Sequence, residues 1–204
     1  MNKHAGRLFA AVALALPFTM ALAQTGNQQQ PPKMTPEQQA EMDAYMKAAT
    51  PGPQHKALAA NSGSYTLKVK SWHEPGGPAM EDTGTAERTM KLDGRVMEET
   101  VNSSMMGMPF SGHGMTGYDN VTGKYWSTWN DSMSTGIMVS EGTCDAAGKS
   151  CTFTGSWNDP VKKTPIKARM TTKWTSPTTE VFEMYAPGPD GKEMKMMEIT
   201  YQKK

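Results

Sequence analysis

GHGMTGYDNVTGKYWSTWND, residues 112–131, reads as a single β-hairpin. Gly112 to Tyr118 forms one strand and Tyr125 to Asp131 the return, rich in the aromatic and β-branched residues that strands favour. Asp119 to Lys124 between them is polar and carries a glycine, as a turn requires. Because strand side chains alternate between faces, His113, Met115 and Gly117 share one face, and Thr116 and Tyr118 the other. On the return strand one face holds Tyr125, Ser127, Trp129 and Asp131, and the other Trp126, Thr128 and Asn130. Parity alone leaves open which face of each strand points inward.

The same grammar continues in both directions. Upstream, Tyr65, Leu67 and Val69 alternate with Thr66, Lys68 and Lys70, the period-2 pattern of a half-buried strand. Pro75 to Pro78 turns the chain. A strand from about Met80 to Leu92 meets Asp93-Gly94, a tight-hairpin signal, and returns as Arg95 to Asn102. Downstream, Ile137 to Cys144 and Cys151 to Ser156 flank a turn at 145–150, and Trp157 to Pro165 reads as a loop. Ile166, Ala168, Met170, Thr172 and Trp174 then mark one face of a long strand, and Val181 to Tyr185 pairs with Glu193 to Tyr201. About ten antiparallel strands with no βαβ alternation define an all-β chain. A closed up-and-down barrel removes the edge strands of such a meander, with an open sandwich as the alternative.

The amino terminus is a different object. Lys3 and Arg7 precede an apolar run from Leu8 to Phe18 that is too short to span a bilayer, and Ala21-Leu22-Ala23 is a small-x-small cleavage pattern. Residues 1–23 are expected to be a signal peptide cut between Ala23 and Gln24, delivering an unlipidated protein to the periplasm or the exterior. Residues 24–34 are too polar to order themselves and are expected to form a linker. Thr35-Pro36-Glu37-Gln38 opens a short amphipathic helix over 35–50 with a capping box, its stripe formed by Met42, Tyr45, Met46 and Ala49. That leaves residues 54–204 for the barrel, with His55 as a packed structural residue.

Removing Lys3 and Arg7 with the leader leaves 19 basic against 20 acidic residues. Such a balance offers no basic stripe for a phosphate backbone, so nucleic acid is not an expected partner. No later run approaches the roughly 20 apolar residues of a membrane-spanning helix. Cys144 and Cys151, flanking one hairpin turn in an exported chain, are placed to pair as a structural clip. All but two of the 19 methionines lie beyond the leader. They read either as barrel filling in place of Leu and Ile or as thioether ligands for Cu(I).

Several short motifs in one order resemble the bacterial DUF1579 family. They are Trp72-His73-Glu74-Pro75-Gly76-Gly77, Met106-Gly107-Met108-Pro109-Phe110, Gly117-Tyr118-Asp119-Asn120, Ser127-Thr128-Trp129, Asp131 to Gly136 and Met196 to Tyr201. The resemblance runs from about His55 to the carboxy terminus. It implies a lipocalin-like (calycin-like) barrel and no defined activity, so it brings no site residues. Where the family tends to show Gly-x-Trp at the first strand, this chain has Gly63-Ser64-Tyr65.

The leading functional expectation is a small apolar molecule held inside the barrel, lined by Phe110, His113, Met115, Tyr118, Trp129 and Asp131. A filled barrel in which these residues are simply core is the competing reading. Two further readings stay open: a Cu(I) site from Met105, Met106, Met108, His113 and Met115, and an enzyme using His113 and Asp131. Haem on His113 is conceivable by analogy with other small barrels alone. The sequence specifies no cofactor and lacks the G-x-S-x-G, H-E-x-x-H, Walker and dinucleotide motifs.

Overall fold

The computed structural model describes residues 34–204. The expected leader, its cleavage site and all of the linker but Met34 lie outside the described residues. Two helices, α1 (Pro36–Ala49) and α2 (Pro53–Ala60), precede ten strands. These are β1 (Gly63–Ser71), β2 (Met80–Lys91), β3 (Val96–Met105), β4 (Met108–Asp119), β5 (Lys124–Asp131), β6 (Met138–Cys144), β7 (Ser150–Asn158), β8 (Pro165–Trp174), β9 (Thr179–Pro187) and β10 (Glu193–Lys203). Each strand pairs antiparallel with the next, and β1 pairs with β10 to close the barrel. The seam sets Leu67 opposite Tyr201 and Val69 opposite Ile199. The up-and-down barrel is therefore present and the sandwich is not.

Two turns differ from the sequence reading. The segment from Met105 to Phe110, which lies between the expected strands, is a hairpin tip in which Met105 pairs with Met108. Met106 and Gly107 between them have φ of 54° and 76°, the doubly left-handed geometry of a two-residue turn whose twist matches the strands. Conversely, the Asp93-Gly94 turn is wider than two residues. Lys91 pairs with Val96, and Leu92, Asp93 and Gly94 all lie at positive φ. The loop expected from Trp157 is also shorter, since β7 continues through Asn158.

The hairpin at 112–131 owes its packing to glycines facing indoles. Gly114 is the direct partner of Trp129 and Gly117 that of Trp126. A Cβ added at Gly112 would lie 2.3 Å from Trp129 Cζ2, and one at Gly117 2.4 Å from Trp126 Cζ2. The glycines leave the space that each indole covers, Trp129 within the barrel and Trp126 outside it.

Helix α1 carries the capping box, with Thr35 and Gln38 reciprocally bonded. None of its residues is buried, so the stripe of Met42, Tyr45 and Met46 faces solvent. Only its end is tied down: Asn120 donates to Ala48 O (3.0 Å) and Thr50 O (2.8 Å), and Arg95 Nη2 to Ala49 O (2.9 Å). Helix α2 instead seals one barrel end. Leu58 packs with Met97, Tyr125, Phe153 and Met170. His55 is buried; its Nδ1 accepts from Gly52 N–H at 3.0 Å and its ring meets Tyr118 edge-on.

Cys144 and Cys151 sit directly opposite one another on β6 and β7 and are joined by a disulfide. Closing so short a loop stabilises by about 2.5 kcal/mol in the chain-entropy view. Cys144→Ser/Cys151→Ser should lower the urea unfolding free energy by about that amount and leave the far-ultraviolet dichroism of the folded barrel unchanged.

Candidate functional site

Inside the barrel lies a cavity of about 790 Å³, within the range of small-molecule pockets. It exists because β4 presents Gly114 and Thr116 to the lumen where larger side chains would fill it. Helix α2 forms the floor through Ala57 and Leu58. The other end is rimmed by Met105, Trp157 and the β5–β6 loop from Met133 to Ile137. The wall between is mostly apolar, with Leu67, Val69, Phe110, Trp129, Phe182 and Ile199 among its residues. Met97, Met138, Met170, Met184 and Met197 also line it. Unbranched thioether side chains reshape at little cost, which suits a wall that adapts to its contents.

The floor holds a charged cluster. Arg88 of β2 is 7% exposed and bridges Glu99 of β3, Nε to Oε1 at 2.7 Å, and Glu180 of β9, Nη1 to Oε2 at 2.5 Å. Its guanidinium also lies over the rings of Tyr201 (4.4 Å) and Tyr65 (4.9 Å). Burial works against the charge on Arg88, but the two carboxylates outweigh it and hold the group protonated well above its ordinary range. Burial pushes the Tyr201 and Tyr65 hydroxyls up, so both stay neutral. Tyr65 donates to Asn61 O at 2.5 Å and is fully buried, plugging the floor.

The sequence reading left this cluster out, although a signal was there. Arg88 falls in step with Ala86 and Met90, Glu99 with Met97 and Val101, and Glu180 with Phe182 and Met184. A charged residue on the apolar phase of a strand marks a buried ion pair, because an unpaired buried charge is too costly to keep.

Of the residues expected to line the cavity, Phe110, Trp129 and Asp131 do so. Trp129 Nε1 donates to Asp131 Oδ2 at 3.0 Å, and the Met133 amide to Oδ1 at 3.0 Å, which fixes the carboxylate at the rim. Tyr118 packs in the core beneath α2 against Tyr125, ring centroids 4.8 Å apart, and is absent from the cavity wall. His113 and Met115 take the outward phase of β4 and are exposed. His113 Nε2 meets Glu98 Oε1 at 3.0 Å on the outer surface, an interaction that, with Lys91, holds the Glu98 carboxyl below its usual range.

His113 therefore reaches neither a haem in the lumen nor Asp131, which lies across the barrel wall. The five candidate copper ligands are likewise divided: Met105 lines the lumen, Met106 and Met108 are exposed near the hairpin tip, and Met115 faces out. Among the described residues no group of three or more His, Cys, Asp or Glu side chains is arranged to hold a metal. No helix there is long and apolar enough to cross a membrane.

A family model described as a protein of unknown function (DUF1579) matches residues 50–203. No curated protein matches the chain. Among solved structures, Rv2717c from M. tuberculosis is similar at a TM-score of 0.57 and 12% identity, covering 76% of this chain and 99% of that one. An S-type phycobiliprotein lyase from Guillardia theta is similar at 0.51 and 12%, covering 78% and 96%. A de novo designed fluorescence-activating β-barrel follows at 0.41 and 15%, covering 72% and 97%. At such identities the likeness is one of fold.

Replacing Arg88 with Met strands the buried carboxylate of Glu180 and the part-buried one of Glu99 and should cost about 3–5 kcal/mol in urea unfolding. The triple variant Arg88→Met/Glu99→Leu/Glu180→Leu should recover most of that loss.

Proposed function

This chain belongs to the DUF1579 family of proteins of unknown function, and from that premise we propose that it is an exported barrel that binds a small, largely apolar molecule in its lumen. The observation that carries the reading is the cavity of about 790 Å³ with its mostly apolar wall. Filling such a space with an apolar molecule recovers the dispersion contacts and hydrophobic gain that a void forgoes. A rim carrying Trp129 and Asp131 supplies an amphipathic entrance, as ligand pockets with a few placed polar groups do.

Export to the periplasm or beyond is supported by the leader pattern at 1–23 and by the Cys144–Cys151 disulfide, which persists in oxidising compartments. The likeness to a phycobiliprotein lyase is compatible with a barrel that handles small molecules, but the reading rests on the cavity. Binding without chemistry is favoured over catalysis because the one guanidinium of the lumen wall and the carboxylate at its rim are each held by fixed partners. Arg88 is held by two carboxylates, and Asp131 by an indole and an amide.

Nile red, uncharged and apolar, should bind with a blue-shifted and enhanced emission. Thr116→Trp, which fills the lumen from the β4 wall, should weaken that binding by about tenfold or more. Native mass spectrometry of protein taken from its own compartment should show a co-purifying small molecule. Absence of any such molecule, together with no response to the dye, would sink the reading.

A further inference from the structure

The charge of the lumen is lopsided. Among the described residues its lining includes three carboxylates, Glu99, Glu180 and Asp131, against the single cation Arg88, with no lysine or histidine. At the rim, Asp131 is satisfied, each of its oxygens accepting one hydrogen bond. The floor differs. Glu99 engages Arg88 through Oε1 and Glu180 through Oε2, so the second oxygen of each has no donor among the described residues. Glu180 is 4% exposed and lines the lumen, where a donor on a bound molecule can reach its second oxygen. Arg88 gives Nε and Nη1 to the two carboxylates and its face to the two tyrosine rings, so the floor carries two carboxylates against one guanidinium.

From this arrangement we propose that the lumen selects an apolar molecule ending in a cationic amine, with the ammonium against the free oxygens of Glu180 and Glu99. The proposal rests on the lumen-binding reading above and names the chemical class of its ligand. The ammonium supplies the missing donors and offsets the excess negative charge of the floor. The apolar body runs from the floor past Val101, Phe110 and Trp129 toward the rim. A carboxylate or phosphate head is disfavoured, because the one guanidinium it would need is already neutralised twice over. A neutral alcohol fits the wall but leaves the charge uncompensated.

The test uses the disulfide-bonded chain and three probes with one tail: n-decylamine, 1-decanol and decanoate, each displacing Nile red at neutral pH. The amine should displace the dye at a concentration about tenfold below the alcohol, and decanoate should fail to displace it. Glu180→Gln should shrink the ratio between amine and alcohol toward one, and Glu99→Gln should act in the same direction. Decanoate binding as well as the amine, or an amine advantage that survives both variants, overturns the proposal. The comparison of the three heads on the unaltered protein decides it even if a variant does not fold. Dye binding with no head-group preference removes this proposal alone, whereas no binding of the dye or any probe removes the lumen reading as well.

Discussion

Barrel closure depends on the seam between the first strand and the last, and Arg88 spans that seam from within. The side chain leaves β2, engages Glu99 on neighbouring β3, and reaches Glu180 on β9 across the rings of Tyr65 on β1 and Tyr201 on β10. Five strands on both sides of the closure are thereby tied to one planar cation. A buried ion pair is weak evidence of net stability, since desolvation offsets its attraction. Its use here is positional: a guanidinium that must satisfy two carboxylates and two ring faces tolerates few registers. The pairing of Leu67 with Tyr201 then brings those groups together.

Around that floor, volume is distributed unevenly. Tyr65, Tyr201, Tyr125 and Phe153 fill the end sealed by α2. Gly114 and Thr116 keep the β4 wall thin, so the lumen stays open above. Trp129 of β5 lies over the two inward glycines, and its indole N–H holds Asp131 at the rim. The result is a charged floor, an apolar shaft and a polar lip.

The residues of the 112–131 hairpin show how much of the site was legible. Trp129, Asp131 and Phe110 are large or charged residues on strands with a clear alternation, and they do line the lumen. His113 and Met115 lie on the same hairpin and drew attention for their chemistry, yet they face water. Alternation fixes which residues share a face but not which face is inside. On β4 the inward phase carries Gly112 and Gly114, the smallest residues available, so hydrophobicity pointed the wrong way. The glycines are inside because an indole from β5 needs their space, a fact that belongs to two strands and not to one. The Arg88 cluster was hidden for a related reason: its members lie on strands distant in sequence, and only closure brings Glu180 beside Arg88.

From the sequence alone came the strand count, the hairpin order, the capped helix and the cysteine clip, because each depends on neighbours within about a dozen residues. The tertiary structure decided the closure between β1 and β10, the inward phase of β4, the sealing of the floor by α2 with α1 left exposed, and the existence of an open lumen. Those depend on which side chains meet across the barrel. Period-2 alternation is blind to that, since it is a local property and carries no information about partners far along the chain.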